Sequence, residues 1–142
     1  MSMELHVLIV EDSDADAELL SRALQQTGHT VTWEQVETAG ELSEALQRGG
    51  WDIVLADDAL PEFDGLTALA MVQATGADLP FSLVSGTIEE EVAVSALEAG
   101  AHNYVLKANL KSLLPIVEQE VKDFHRRRKL KHDKECATGN NS

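Results

Sequence analysis

The chain has 142 residues, 44% of them hydrophobic, and 25 Asp and Glu against 11 Lys and Arg, for a formal net charge of −14. That length suits one domain with a single core rather than two of ordinary size, and the apolar content excludes wholesale disorder. The acidic balance argues against non-specific binding to nucleic acid or anionic membrane, which needs clustered Lys and Arg.

Short apolar runs alternate with helical patterns along the chain. Leu5–Val10 is a near-continuous aliphatic run that ends abruptly in Glu11-Asp12. Asp14–Gln26 carries Ala15, Leu19, Leu20, Ala23 and Leu24 at helical spacing, and Gly28 stops it. Thr30–Val36 alternates as a strand, and Thr38 is placed to cap a helix bearing Leu42, Ala45 and Leu46 that closes at Gly49-Gly50. Trp51–Ala56 reads as a buried strand and again ends in acid, Asp57-Asp58. A helix over Leu66–Val72, a strand over Pro80–Val84, a helix over Glu89–Glu98 and a strand over His102–Leu106 follow. From Leu110 the pattern is helical through roughly Lys131. Five strands alternating with five helices predict a doubly wound α/β domain with a parallel sheet.

The net charge conceals an asymmetry. Met1–Val121 holds 22 acidic and 4 basic residues, whereas Lys122–Ser142 holds 7 basic and 3 acidic. The expected organisation is a domain over 1–124, a basic extension of the last helix over 125–134 and a polar disordered tail over 135–142. Leu114, Val117, Val121 and Phe124 suit packing on the sheet or a dimer seam, but the seam fails at Arg128, so a long coiled coil is not supported. The extension reads as an association surface for a second copy or a downstream signalling module. The lone Cys136 excludes an intramolecular disulfide framework. No run reaches bilayer-spanning length, and the first residues lack a signal-peptide pattern, so a cytoplasmic protein is expected.

The chemistry-bearing residues fall where the strands end: Glu11 and Asp12 after the first, Asp57 after the third, Ser85 at the fourth and Lys107 at the fifth. In an open parallel sheet these ends lie on one edge, where ligands bind. Clustered carboxylates need protonation or a cation, and an oxygen-only donor set selects Mg2+ before Zn2+. A lysine ammonium and a serine hydroxyl beside that ion suit a phosphoryl group, and an aspartate can accept one as a nucleophile. Asp57, at the tip of the central strand, is best placed to do so. The histidines at 6, 29, 102, 125 and 132 share no ligand spacing and are read as core or surface residues.

Val-Leu-Ile-Val-Glu11-Asp12, Asp57-Asp58-Ala59-Leu60-Pro61 with Asp64-Gly65, Val84-Ser85-Gly86, Ala-Leu-Glu-Ala-Gly100-Ala and Tyr104-Val-Leu-Lys107, in that order, strongly resemble the receiver domain of two-component response regulators, in its chemotaxis-regulator-like form. The resemblance spans roughly Leu5 to Phe124. It implies a flavodoxin-like fold with strand order 2-1-3-4-5 and an extended C-terminal helix. It also implies Asp57 as phosphoacceptor, Asp12 as a direct Mg2+ ligand, Glu11 acting through water and the Ala59 carbonyl completing the protein's donors. Ser85 and Lys107 then match the groups that bind the phosphoryl oxygens, and Tyr104 matches the switch aromatic. The implied partner is a sensor histidine kinase or histidine phosphotransfer protein.

Three positions depart from the commonest pattern: Ala108 stands where proline usually follows the lysine, Asp58 adds a charge, and Ala59 offers no side chain. Ser85-Gly86-Thr87 and Lys107-Ala-Asn109-Leu110 resemble receivers attached to sensory or signalling modules more than those fused to DNA-binding domains. Two rivals stand beside this reading. A Mg2+-dependent phosphatase would need an acid two residues after its nucleophile, and position 59 is alanine. The other rival is an unphosphorylated receiver-like interaction domain.

Overall fold

A computed structural model describes residues 4–25, 29–57, 65–76, 78–86 and 90–141, with side chains through Lys129. Five strands, β1 (Glu4–Val10), β2 (Thr30–Val36), β3 (Ile53–Asp57), β4 (Phe81–Ser85) and β5 (Asn103–Leu106), alternate with α1 (Asp14–Gln25), α2 (Ala39–Arg48), α3 (Gly65–Ala74), α4 (Glu90–Ala99) and α5 (Leu113–Asn141). The strands form one parallel sheet in the order β2-β1-β3-β4-β5, as the resemblance implies.

Strand periodicity divides the core. Leu8, Val10, Val54, Ala56, Phe81 and Leu83 point to the side covered by Leu42 and Ala45 of α2, Ala68, Leu69 and Val72 of α3, and Ala96 of α4. Their neighbours Leu5, Val7, Ile9, Ile53, Leu55, Val84 and Val105 face Ala17, Leu20 and Leu24 of α1 and Leu113, Val117 and Val121 of α5. Burial on both faces is why the central strands read as continuous aliphatic runs. Local signals set the ends. The Thr38 hydroxyl accepts from Glu41 N–H at 3.1 Å, and Gly49 closes α2 at φ 70°.

One difference from the sequence reading concerns the start of the last helix. Leu110 does not open the last helix; a short 3-10 turn over Lys107–Ser112, broken by non-helical angles at Asn109, precedes α5. The last helix, α5, runs from Leu113 to Asn141. The first turns of the basic extension are tied to the domain. His125 Nε2 lies 2.7 Å from Asp52 Oδ1, Arg127 pairs with Asp78, and the Arg128 guanidinium lies 5.3 Å from the centre of the Phe124 ring. Asp52 also accepts from His6 N–H at 2.8 Å, so this buried acid joins α5 to β1 at the end of the sheet away from Asp57. Sequence spacing offered no sign of it. No helix among the described residues is long and apolar enough to cross a membrane.

Candidate functional site

The parallel topology brings the ends of β1, β3, β4 and β5 to one edge. Register sets the depth of each group: Ala56 pairs with Val10, Asp57 with Val84, and Ser85 with Leu106. Glu11, Asp57 and Ser85 are therefore buried at the sheet's rim, while Asp12, one residue past Glu11, is exposed.

Glu11 is the most constrained. Its N–H donates to the Val36 carbonyl at 3.0 Å, and its own carbonyl accepts from Gln35 Nε2 at 2.9 Å, so the end of β2 holds its backbone. Its carboxylate accepts from Ser13 N–H at 3.1 Å and from Lys107 Nζ at 2.8 Å. Lys107 reaches two further acids, Asp57 Oδ2 at 2.9 Å and Asp16 Oδ2 at 2.7 Å. Donor oxygens of Glu11, Asp12 and Asp57 lie within 4.8 Å of one another, and no other such group of acids, histidines or cysteines occurs among the described residues.

A magnesium ion binds oxygen at about 2.1 Å, so opposed ligands stand about 4.2 Å apart. At most one pair among three octahedral ligands is opposed and the others stand about 3 Å apart, so the three carboxylates reach that ion by closing together or with a contact made through water. Sequence order brought Glu11, Asp12, Asp57, Ser85 and Lys107 to the edge, and the structure places all five there. Ala59 lies outside the described residues, as do Asp58, Pro61 and Asp64. Tyr104 lies in β5 opposite Leu83, half-buried against the core cluster that includes Leu83 and Phe81. The Lys107–Ala108 peptide is trans.

Asp16 is the site residue that sequence reasoning missed. It lies in the first turn of α1, with its N–H 3.3 Å from Ser13 Oγ, where an acid is favourable at any helix start. The available signal was its place in the first turn of the helix that follows Glu11-Asp12, which keeps it beside the strand ends.

Burial is the largest influence on Glu11 and pushes its carboxyl up from 4.5 to about 7; hydrogen bonds from Lys107 and Ser13 pull down, and the neighbouring Asp12 and Asp57 push up. Burial opposes the charge on Lys107, but its bonds to Asp16, Glu11 and Asp57 outweigh that and hold the ammonium above its usual range. A carboxyl that holds its proton more tightly in the folded chain favours folding in full below about 4.5, and that contribution is lost as pH rises through about 7. In metal-free buffer the melting temperature is expected to fall across this window, and to fall less in Glu11→Gln. Equal slopes for the two proteins would contradict this account of Glu11.

Comparison with known proteins agrees with this geometry. The response regulator receiver domain family matches residues 7–118. The chain is 31% identical over 123 residues to the swarming motility regulation protein RssB of Serratia marcescens, covering 87% of this chain and 54% of that protein. It is 34% identical over 102 residues to the transcriptional regulatory protein YkoG of Bacillus subtilis, covering 72% and 44%. The chain thus spans about half the length of these curated relatives. Among solved structures, a CheY-like receiver domain from Methanospirillum hungatei superposes with a TM-score of 0.75 at 26% identity, covering 87% of this chain and 98% of that one. The N-terminal domain of a response regulator/sensory box/GGDEF protein from Carboxydothermus hydrogenoformans gives 0.72 at 28% identity, covering 86% and 98%. With the matched segment running from β1 into α5 and the acids gathered at the sheet's edge, the chain belongs to the response regulator receiver domain family.

Proposed function

We propose that this receiver domain is a cytoplasmic, phosphorylation-dependent switch in which Asp57 accepts a phosphoryl group, with Mg2+, from a sensor histidine kinase or a histidine phosphotransfer protein. The observation that carries the reading is the meeting of Glu11, Asp12 and Asp57 oxygens within 4.8 Å, with the Lys107 ammonium hydrogen-bonded to both Glu11 and Asp57.

Each group has a physical task. A carboxylate oxygen of Asp57 attacks phosphorus as the phosphorus–nitrogen bond of phosphohistidine breaks, and the bonding pair leaves with the imidazole. Glu11, Asp12 and Asp57, with the Ala59 carbonyl, would hold a cation that offsets the charge building on the phosphoryl oxygens. Lys107 and the buried Ser85 supply a charge and a hydroxyl for those oxygens. These contacts arise only with the phosphoryl group present, so they can bias one conformation over another. Tyr104 links the change to the α4–β5–α5 face, where Val94 and Leu97 of α4 are 53% and 49% exposed. Through that face and the basic helix the domain would engage a second copy or a downstream module.

With Mg2+ and acetyl phosphate as donor, the protein is expected to gain one phosphoryl group by mass, labile to hydroxylamine, and to gain none once the cation is chelated. Absence of labelling with Mg2+ present would favour an unphosphorylated interaction domain.

A further inference from the structure

Lys107 is held by one more acid than a shared cation site requires. Its Nζ lies 2.8 Å from Glu11, 2.9 Å from Asp57 and 2.7 Å from Asp16, and all three contacts are within hydrogen-bond reach of a single ammonium with three donors. Glu11 and Asp57 belong to the carboxylate group that can close on a cation; Asp16 does not. Its side chain remains 34% exposed at the start of α1, against 1% for Glu11 and 10% for Asp57. We propose that Asp16 is an alternative berth for Lys107, a positioning residue that receives the ammonium when a divalent cation takes the Glu11 and Asp57 oxygens, and from which a phosphoryl oxygen must draw it. This inference rests on the phosphoacceptor reading above.

The effect is electrostatic. An ammonium and a divalent cation repel each other and draw on the same two carboxylates, so a cation held by Glu11 and Asp57 weakens the hold of both on Lys107. Without another acid nearby, it would either resist displacement or leave for solvent and forgo its charge-assisted bonds. Asp16 removes that penalty, because the ammonium need only relinquish two of its three contacts. The same carboxylate has the opposite effect on an arriving phosphoryl group. It competes for Lys107, and its negative charge repels the phosphoryl oxygens. A residue with this role therefore helps the cation and hinders the anion.

Asp16→Asn separates these effects. Mg2+ affinity, measured by calorimetry on the protein without phosphodonor, is expected to weaken roughly fivefold, because the berth loses its charge. Affinity for beryllofluoride, a tetrahedral phosphoryl mimic, measured at saturating Mg2+, is expected to tighten by a similar factor, about fivefold. Asp16→Glu keeps the carboxylate and should remain near wild type in both titrations. A merely structural role in α1 would instead shift both affinities the same way, together with the melting temperature. Shifts of one sign in Asp16→Asn, or no shift in either titration, would overturn the berth while leaving the phosphoacceptor reading intact. If the wild-type protein bound neither Mg2+ nor beryllofluoride, both would fall together.

Discussion

Asp57→Asn is expected to abolish phosphoryl transfer to this protein altogether. The amide matches the carboxylate in shape, so β3 and its neighbours have no reason to rearrange, but an amide oxygen is a poor nucleophile and yields no stable acyl phosphate. The substitution also removes one negative charge from a rim that gathers Glu11 and Asp16 around one ammonium, with Asp12 beside Glu11. Because the Asp57 charge is among the influences raising Glu11, the Glu11 carboxyl is expected to titrate lower in the variant. Folding should survive, with a midpoint in urea at or above that of wild type. Labelling by acetyl phosphate and by a phosphorylated histidine donor, both read by mass, checks the first expectation. Undiminished labelling of Asp57→Asn would move the acceptor to another acid.

Removal of Lys107 is expected to have the largest effect on stability. The Lys107→Ala protein keeps Glu11, only 1% exposed, and Asp57, 10% exposed, without the ammonium that now binds both. Stranding a buried charge costs more than the pair contributes, so a loss of about 2–3 kcal/mol in metal-free buffer above neutral pH is reasonable. Two conditions should reduce it. Acidification lets Glu11 take a proton, the more readily because the bond from Lys107 that lowers its carboxyl is gone, and added Mg2+ supplies the missing positive charge. Urea denaturation with and without Mg2+ measures both. An unchanged midpoint in metal-free buffer would show that solvent already satisfies these carboxylates.

Much of the fold was legible in the residues. The aliphatic runs ending in Glu11 and Asp57 marked β1 and β3 because strands buried on both faces tolerate only apolar side chains until they reach the rim. Thr38 and the Gly49-Gly50 pair announced the limits of α2, since their signals act within a few residues of the backbone they control. Strand ends differ from the apolar runs by a residue or two. Trp51 and Asp52 precede β3 rather than opening it, and the Trp51 indole N–H donates instead to the Ala45 carbonyl at 2.8 Å.

The candidate site divides along the same line. Sequence alone determined that Glu11, Asp12, Asp57, Ser85 and Lys107 would share one edge, because alternating strands and helices force a parallel sheet and such a sheet gathers its strand ends. Only the tertiary structure decided what those groups touch. That Lys107 takes Asp16 as a third partner, 91 positions away, and that His125 meets Asp52, 73 positions away, depends on strand register and on how α1 and α5 lie over the sheet. A residue pattern carries the periodicity that sorts side chains to a face or an edge. Contacts of 2.7 Å between distant segments are set by the packing of the whole core, which no local pattern contains.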